Sequence, residues 1–121
     1  MSKSQNSKQY DLEDRTLAYA KDVRRFVKKL PKTLANIEDG RQLIKASGSV
    51  GANYIEANEA LSKKDFIMRI KICRKEGKES RYWLRLIDTE DNTELEGERR
   101  DLEREASELT SIFGSILTKS S

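Results

Sequence analysis

Apolar and small residues recur at steps of three and four along this chain, and this spacing constrains the fold more than any other feature. Between Ser62 and Asp88 they form a nearly perfect heptad seam: Phe66, Ile70, Cys73, Gly77, Ser80, Leu84 and Ile87. Such steps place side chains on one face of an α-helix. Ser62, with Asp65 three positions later, resembles a capping box and predicts the start of this helix.

Three further segments show helical spacing. The first ends at Pro31, the only proline, because a proline ring disfavours helix in the residue before it. Its members are Leu12, Leu17, Ala20, Val23, Val27 and Leu30. The second segment, from about Thr33 to Ala60, carries Leu34, Ile37, Leu43 or Ile44, Val50, Tyr54 and Ile55. The last follows a polar turn at 89–93 and carries Leu95, Leu102, Ala106, Leu109, Phe113 and Ile116 or Leu117.

Four helices joined by short turns favour antiparallel neighbours. We therefore predict an all-α fold, a single antiparallel up-down-up-down four-helix bundle over residues 11–118. Residues 1–10 are expected to be a flexible tail and residues 119–121 a frayed C-terminus. Leu, Ile, Val and Phe supply only 27 of the 121 residues, so burial between subunits would help. The small residues of the second helix, such as Gly48 and Gly51, predict close packing against a helix of this chain or of a second subunit.

Composition excludes most familiar active sites. The chain has no histidine and a single cysteine, Cys73, which removes the commonest general base, intrachain disulfides and cysteine-cluster zinc. Glu76 and Glu79 could form a carboxylate pair, but no nucleophile motif or phosphate loop accompanies them. We expect no enzyme activity, no cofactor and no metal. The polar N-terminus and the lack of a long apolar run predict a cytoplasmic protein without a membrane partner.

Charge is distributed unevenly. Residues 61–88 contain nine Lys or Arg and four Asp or Glu, whereas residues 89–121 contain four and nine. Two helices carry cations on one face at steps of three and four. On the first helix these are Lys21, Arg24, Arg25, Lys28 and Lys29, and on the third Lys71, Arg74, Lys75, Lys78, Arg81 and Arg85. Acidic neighbours and solvent could neutralise both faces. Because like-charged pairs four residues apart are unfavourable, the clustering also favours a polyanionic ligand such as RNA or DNA.

Two polar and two aromatic residues have alternative interpretations. Tyr82 and Trp83 could stack on a base beside Arg81 and Arg85, although packing is the favoured role for both. Asn53 and Glu56 could belong to a site. The favoured interpretation is a hydrogen-bonded pair that fixes helix register, with Lys75 or Arg81 as candidate partners.

Three segments resemble the bacterial four-helix bundle proteins encoded in intervening sequences of large-subunit ribosomal RNA genes. They are SVGANYIEA (Ser49–Ala57), SKKDF (Ser62–Phe66) and KEGKESRYWLRLI (Lys75–Ile87). The pattern of Ser49, Gly51, Asn53 and Glu56 is intact, as is the run from Tyr82 to Leu84. The accessory variability protein of diversity-generating retroelements has the same fold. Gly77 stands where the resemblance leads us to expect alanine, and it should loosen the third helix.

The resemblance implies a homopentameric bundle with a basic surface and a non-enzymatic role associated with nucleic acid. Three hypotheses follow. The first is a bundle that contacts the backbone of RNA, or of DNA or a DNA–RNA hybrid, through its first and third helices. The second is a retroelement accessory protein whose partner is a reverse transcriptase. The third is an inert product of the inserted sequence.

Overall fold

Four helices account for most of residues 12–120, the part of the chain that the computed structural model describes. Helix α1 is Leu12–Lys28, α2 is Leu34–Asn58, α3 is Lys63–Leu86 and α4 is Thr93–Ser120. Helices α1 and α3 each pack against α2 and α4, and within the described residues neither diagonal pair approaches closely. The prediction of an all-α four-helix bundle is confirmed. The predicted tail, residues 1–10, lies outside the described residues.

Polar side chains begin three of the helices. Ser62 Oγ accepts a hydrogen bond from the Asp65 N–H at 3.1 Å, as its spacing predicts. Thr33 Oγ1 accepts from the Asn36 N–H at 3.1 Å, and Asn92 Oδ1 accepts from the Leu95 N–H at 2.9 Å. Each cap satisfies a backbone donor that has no partner within its helix.

Helix α4 extends to Ser120, two residues beyond the end expected at residue 118. Ser120 Oγ donates a 2.7 Å hydrogen bond to the Ile116 carbonyl. Ile116 and Leu117 also pack against the core. These contacts hold the last turn in helical form although it ends in a polar KSS sequence.

The heptad seam of α3 lies in the core as predicted. Its fully buried members are Ile70, Cys73, Gly77, Ser80, Leu84 and Ile87, and Phe66 packs against them. Tyr19 of α1 reaches across the bundle, and its hydroxyl lies 2.8 Å from Ser80 Oγ. Burial raises the pKa of Tyr19 to about 12. This pair links the diagonal helices α1 and α3 through the centre of the bundle.

The predicted core faces of α1 and α2 are partly wrong. Leu17, Leu34, Ile37 and Ile55 are exposed, Leu34 by 78%. On α1 the larger side chains of Tyr19 and Phe26 are fully buried, and together with Leu12, Thr16 and Val23 they define a different face. On α2 the core side is made of Asn36, Gly40, Leu43, Ala46, Ser47, Val50 and Ala57. Small residues occupy it because the neighbouring helix comes close.

Glycines allow neighbouring helices to approach each other closely. A Cβ atom on Gly51 would lie 2.9 Å from Thr16 Oγ1 and 3.2 Å from Thr16 Cβ, and one on Gly40 would lie 3.3 Å from Val27. The small residues of α2 therefore serve a contact with α1 of the same chain at both positions. A Cβ on Gly77 would lie 2.8 Å from Thr110 Oγ1. Helix α3 is continuous through Gly77, and the glycine accommodates the close approach of α4.

Candidate nucleic-acid interface

The outer face of α3 carries the densest positive charge in the described residues. Because the buried seam fixes the rotation of α3, the remaining positions face solvent. All six predicted cations are exposed, namely Lys71, Arg74, Lys75, Lys78, Arg81 and Arg85. Over its length α3 contains nine Lys or Arg and three Asp or Glu. From Lys63 to Arg85 the helix spans about 33 Å at roughly 1.5 Å per residue. We call the six exposed side chains from Lys71 to Arg85 named above the α3 basic face.

No salt bridge neutralises the α3 basic face within residues 12–120, although Lys75 lies close enough to Glu76 to interact with it electrostatically. None of its six cations makes an ion pair or a hydrogen bond within residues 12–120. Five of the seven carboxylates of α4 pair with other cations: Glu105 and Glu108 with Arg15, Glu98 with Lys29, Glu96 with Arg99, and Asp101 with Arg104. Most acidic side chains of α4 therefore pair with α1 or within α4. The positive charge of α3 remains available to a ligand.

An open groove follows the α3 basic face along the α3–α4 boundary. Its central part is lined by Lys71, Arg74, Lys75, Lys78, Glu79 and Leu117. Arg74 and Leu117 also border a depression with Lys119 and the hydroxyl residues Ser111 and Ser115 of α4. Lys71 borders a third depression, with Lys63 and Lys64. These depressions share residues, and together they form one basic track, which we call the α3–α4 groove.

The sequence did not identify all members of this groove. Lys64 and Lys71 are seven residues apart, so the spacing rule could have found Lys64, and Lys63 lies beside it. Lys119, Ser111 and Ser115 belong to another helix. Only the packing of α4 against α3 brings them to the groove, and no local pattern reveals it.

The basic stripe of α1 lies on the other side of the bundle. Lys21, Arg24, Arg25 and Lys28 are all exposed, but α1 and α3 are diagonal partners, so their outer faces point apart. Arg25 pairs with Asp22 at 2.6 Å. Arg24 donates to the Ala20 carbonyl at 3.2 Å and lies over Gly48 of α2. The structure does not join the two predicted stripes into one surface.

Tyr82 and Trp83 have different environments. Trp83 is half-buried and packs against the core, whereas Tyr82 is 57% exposed. Their ring centroids lie 5.2 Å apart with an interplanar angle of 72°, an edge-to-face contact. Trp83 thus braces the Tyr82 ring from one side. The ring stands among Lys78, Arg81 and Arg85, one turn or less along the helix.

Asn53 has a different partner from those expected. Asn53 Nδ2 donates to the Ser49 carbonyl at 2.9 Å, and Asn53 Oδ1 accepts from Arg69 Nη1 at 2.9 Å. Lys75 and Arg81 are not its partners, because they lie on the outer face of α3. The Glu56 side chain is exposed and makes no hydrogen bond or ion pair within residues 12–120. Asn53 therefore links α2 to α3, and Glu56 is not part of that link.

Three further groups were considered for chemistry in the sequence, namely the carboxylates of Glu76 and Glu79 and the thiol of Cys73. Burial raises the pKa of Glu76, and the nearby Glu79 carboxylate raises it further. Cys73 is buried, its Sγ donates to the Val50 carbonyl at 3.4 Å, and burial raises its pKa to about 12. A thiol with so high a pKa is a poor nucleophile, in keeping with the expected core role of Cys73.

The fold and surface define an all-α bundle whose third helix carries six exposed cations. The chain belongs to the family of 23S rRNA-intervening sequence proteins, whose model matches residues 8–115. A similar solved structure is a protein with unknown function from the S23 ribosomal protein family of Bacteroides thetaiotaomicron VPI-5482. It has a TM-score of 0.70 and 25% identity, covering 87% of this chain and 96% of that chain. No curated protein matches the chain.

The family match confirms the resemblance carried by the three sequence segments. As for membranes, no helix between residues 12 and 120 is both long enough and apolar enough to cross a bilayer.

Proposed function

We propose that this protein is a non-enzymatic, cytoplasmic nucleic-acid-binding protein that contacts the backbone of RNA through the α3 basic face. The observation that carries the proposal is the set of six exposed cations on one helix, none of which forms a salt bridge in the described residues. A DNA or a DNA–RNA hybrid presents the same phosphate chemistry and is included as a ligand class.

Binding of phosphate groups would offset the repulsion among the cations of the α3 basic face. Like charges three and four residues apart on a helix, such as Arg74, Lys75 and Lys78, destabilise it slightly. A nucleic-acid backbone offers evenly spaced negative charges, and each contact releases counterions. Contacts of this kind position a ligand with little reading of sequence. The hydroxyls of Ser111 and Ser115 beside the groove can donate further hydrogen bonds to phosphate oxygens. The family name, which refers to 23S rRNA, supports an RNA-associated role.

The decisive experiment compares two variants with the same loss of charge. One changes Arg74, Lys78, Arg81 and Arg85 to Gln, and the other changes Lys21, Arg24, Arg25 and Lys28 to Gln. Each removes four positive charges from exposed positions, so the two variants have equal net charge. Binding of a structured RNA is measured by titration at low and at high salt, and helicity is checked by circular dichroism.

We expect the α3 variant to bind at least about 100-fold more weakly at low salt, because several phosphate contacts are lost. The α1 variant should lose far less, because its stripe faces the other side of the bundle. Unchanged affinity of a folded α3 variant would refute the proposal. Equal losses in both variants would show that net charge, rather than the α3 basic face, governs binding.

A second candidate is a retroelement accessory protein that binds a reverse transcriptase together with nucleic acid. The observation that favours a protein partner is the exposure of two apolar side chains on α3, Met68 and Leu86, near the basic face. A gene that lies beside a reverse transcriptase, and copurification with that enzyme, would favour this function. A gene within a ribosomal RNA operon would favour the first.

We also propose that the bundle is antiparallel and assembles as a homopentameric ring. Contacts between helix ends support the antiparallel order. Asn58, at the end of α2, donates to Glu13 near the start of α1, and Asn36 near the start of α2 bonds to Asp88 just beyond α3. The number five comes from the family resemblance alone. Gly40 and Gly51 pack against α1 of the same chain, so they give no support to a contact between subunits. Light scattering that gives a mass near 13.9 kDa would refute the ring.

A further inference from the structure

Tyr82 is an aromatic side chain placed among cations and left largely in solvent. A large apolar ring at 57% exposure gains little from burial within its own subunit. The core of this chain has few large residues, so an aromatic side chain held outside it calls for another explanation.

The ring is also positioned rather than free. Trp83 is half-buried against the core, and its ring meets Tyr82 edge-on at 5.2 Å and 72°. Aromatic pairs favour this geometry. Whichever ring presents its edge, this contact covers at most one of the two faces of the Tyr82 ring, and the other face is left for a ligand. A tyrosine has only two side-chain torsions, so little entropy is lost when a ligand binds to a ring already braced in this way.

The neighbours of Tyr82 are suited to a nucleic-acid strand. Lys78 lies one turn before it, Arg81 precedes it and Arg85 lies almost one turn after it, and all three are exposed without an ion pair in the described residues. Proteins that bind single strands combine a basic track for the phosphates with aromatic rings on which bases stack. The α3–α4 groove supplies the track, and Tyr82 lies on the same outer face of α3.

We propose that Tyr82 is a stacking platform for an unpaired base, so that the α3 basic face selects single-stranded segments of nucleic acid over duplex. This inference rests on the proposed function and names its ligand class. In a duplex the faces of the bases are covered by their neighbours in the stack, and Tyr82 has nothing to stack on. In a single strand or a loop a base can turn onto the ring while its flanking phosphates contact Lys78, Arg81 and Arg85.

The test measures the affinity of the full-length protein for three oligonucleotides of about ten nucleotides or base pairs: a single-stranded RNA, a single-stranded DNA of the same sequence and a duplex RNA. The variants are Tyr82→Ala, Tyr82→Phe and Tyr82→Trp. Leu34→Ala is the matched control, because Leu34 is an exposed apolar residue on another helix. The quadruple α3 variant described above reports on the backbone contacts alone.

We expect Tyr82→Ala to weaken single-strand binding roughly 5- to 150-fold, the range measured for loss of one stacked base, and to leave duplex binding unchanged. Phe and Trp should restore single-strand affinity, because both keep an aromatic face. Leu34→Ala should have no effect. Equal losses for RNA and DNA would identify stacking without recognition of the ribose, and a larger loss for RNA would add a ribose contact. Both outcomes support the platform.

A second readout follows the base itself. A single 2-aminopurine placed in a run of uridines should lose fluorescence on binding to the native protein and to Tyr82→Phe, but not to Tyr82→Ala. Unchanged single-strand affinity in Tyr82→Ala, with lost affinity in the quadruple variant, would overturn the platform and leave the proposed function intact. Equal weakening for single strands and duplex would also overturn it. If no oligonucleotide binds the native protein, both proposals fail, and an exposed Tyr82 would then point to a protein partner.

Discussion

Helices α1 and α3 carry cations at the same spacing, but only the stripe of α1 contains salt bridges within residues 12–120. On α1, Arg25 pairs with Asp22 of the same helix and Lys29 with Glu98 of α4. On α3, all six cations are exposed and none forms a salt bridge. Spacing shows that charges share a face, but it does not show which of them form ion pairs.

The largest expected effect concerns the salt dependence of RNA binding. A plot of log affinity against log salt concentration should be shallower by about 3 in the quadruple α3 variant, since each lost phosphate contact removes about 0.7 to 0.9 from the slope. The quadruple α1 variant should keep the native slope to within about 1. Titrations at several salt concentrations measure both. A slope that falls equally in the two variants would remove the distinction between the helices.

The close contact of α1 with α2 should be sensitive to one methyl group. Gly51→Ala places a Cβ atom against Thr16, whose hydroxyl already donates to the Leu12 carbonyl. We expect a net destabilisation of about 1–2 kcal/mol, since overpacking outweighs the better helix propensity of alanine. Urea unfolding measures it.

Gly114→Ala is the matched control, because a Cβ there meets nothing within 4 Å. It should stabilise the protein by about 0.5–1 kcal/mol. A Gly51→Ala variant as stable as Gly114→Ala would contradict the close packing of α1 on α2.

The hydrogen bond between Tyr19 and Ser80 connects the two basic helices through the core. Tyr19→Phe removes it while Ser80 Oγ keeps its bond to the Gly77 carbonyl, so the loss should be about 0.5–1.5 kcal/mol. The control is Tyr82→Phe, which removes an exposed hydroxyl and should change stability by less than about 0.5 kcal/mol. Equal stabilities of the two variants in thermal unfolding would count against the cross-core bond.

The smallest effect compares a paired cation of α1 with an unpaired one of α3. Arg15→Gln removes the bonds to Glu105 and Glu108 and should cost at most about 1 kcal/mol, since the pair is partly exposed. Arg74→Gln should leave the free energy of unfolding unchanged or raise it by about 0.2–0.5 kcal/mol, because it relieves the repulsion between Arg74 and the neighbouring lysines of α3. Denaturant titration at low salt would detect the difference. A larger cost for Arg74→Gln would reveal an acidic partner of the α3 basic face.

Helical spacing was sufficient to predict the four helices and the core face of α3. That face is regular because its seam keeps steps of three and four through Cys73, Gly77 and Ser80. On α1 and α2 the spacing of apolar residues predicted the core face only in part, since it placed Leu17 and Leu34 in the core instead of Thr16 and Asn36. Thr16 is buried because Gly51 of α2 packs closely against it. Asn36 is buried because its side chain bonds to the backbone of Pro31 and Asp88. The spacing of apolar residues predicts neither contact.

The candidate site was predictable only in part. The six cations of α3 follow from spacing on a single helix, and the structure places all of them outside. The absence of acidic partners depends on where the carboxylates of α4 point, which no local pattern reveals. The same holds for Lys119 beside Arg74, and for the partner of Asn53, which is Arg69 rather than Lys75 or Arg81.

The most direct measurement of the central claim is the acetylation rate of each lysine with and without bound RNA, read by mass spectrometry of the native protein. Lys71, Lys75 and Lys78 should be protected when RNA is bound, whereas Lys21 and Lys28, which are equally exposed on α1, should react at their free rates. Protection that is equal on both helices, or confined to α1, would contradict the account.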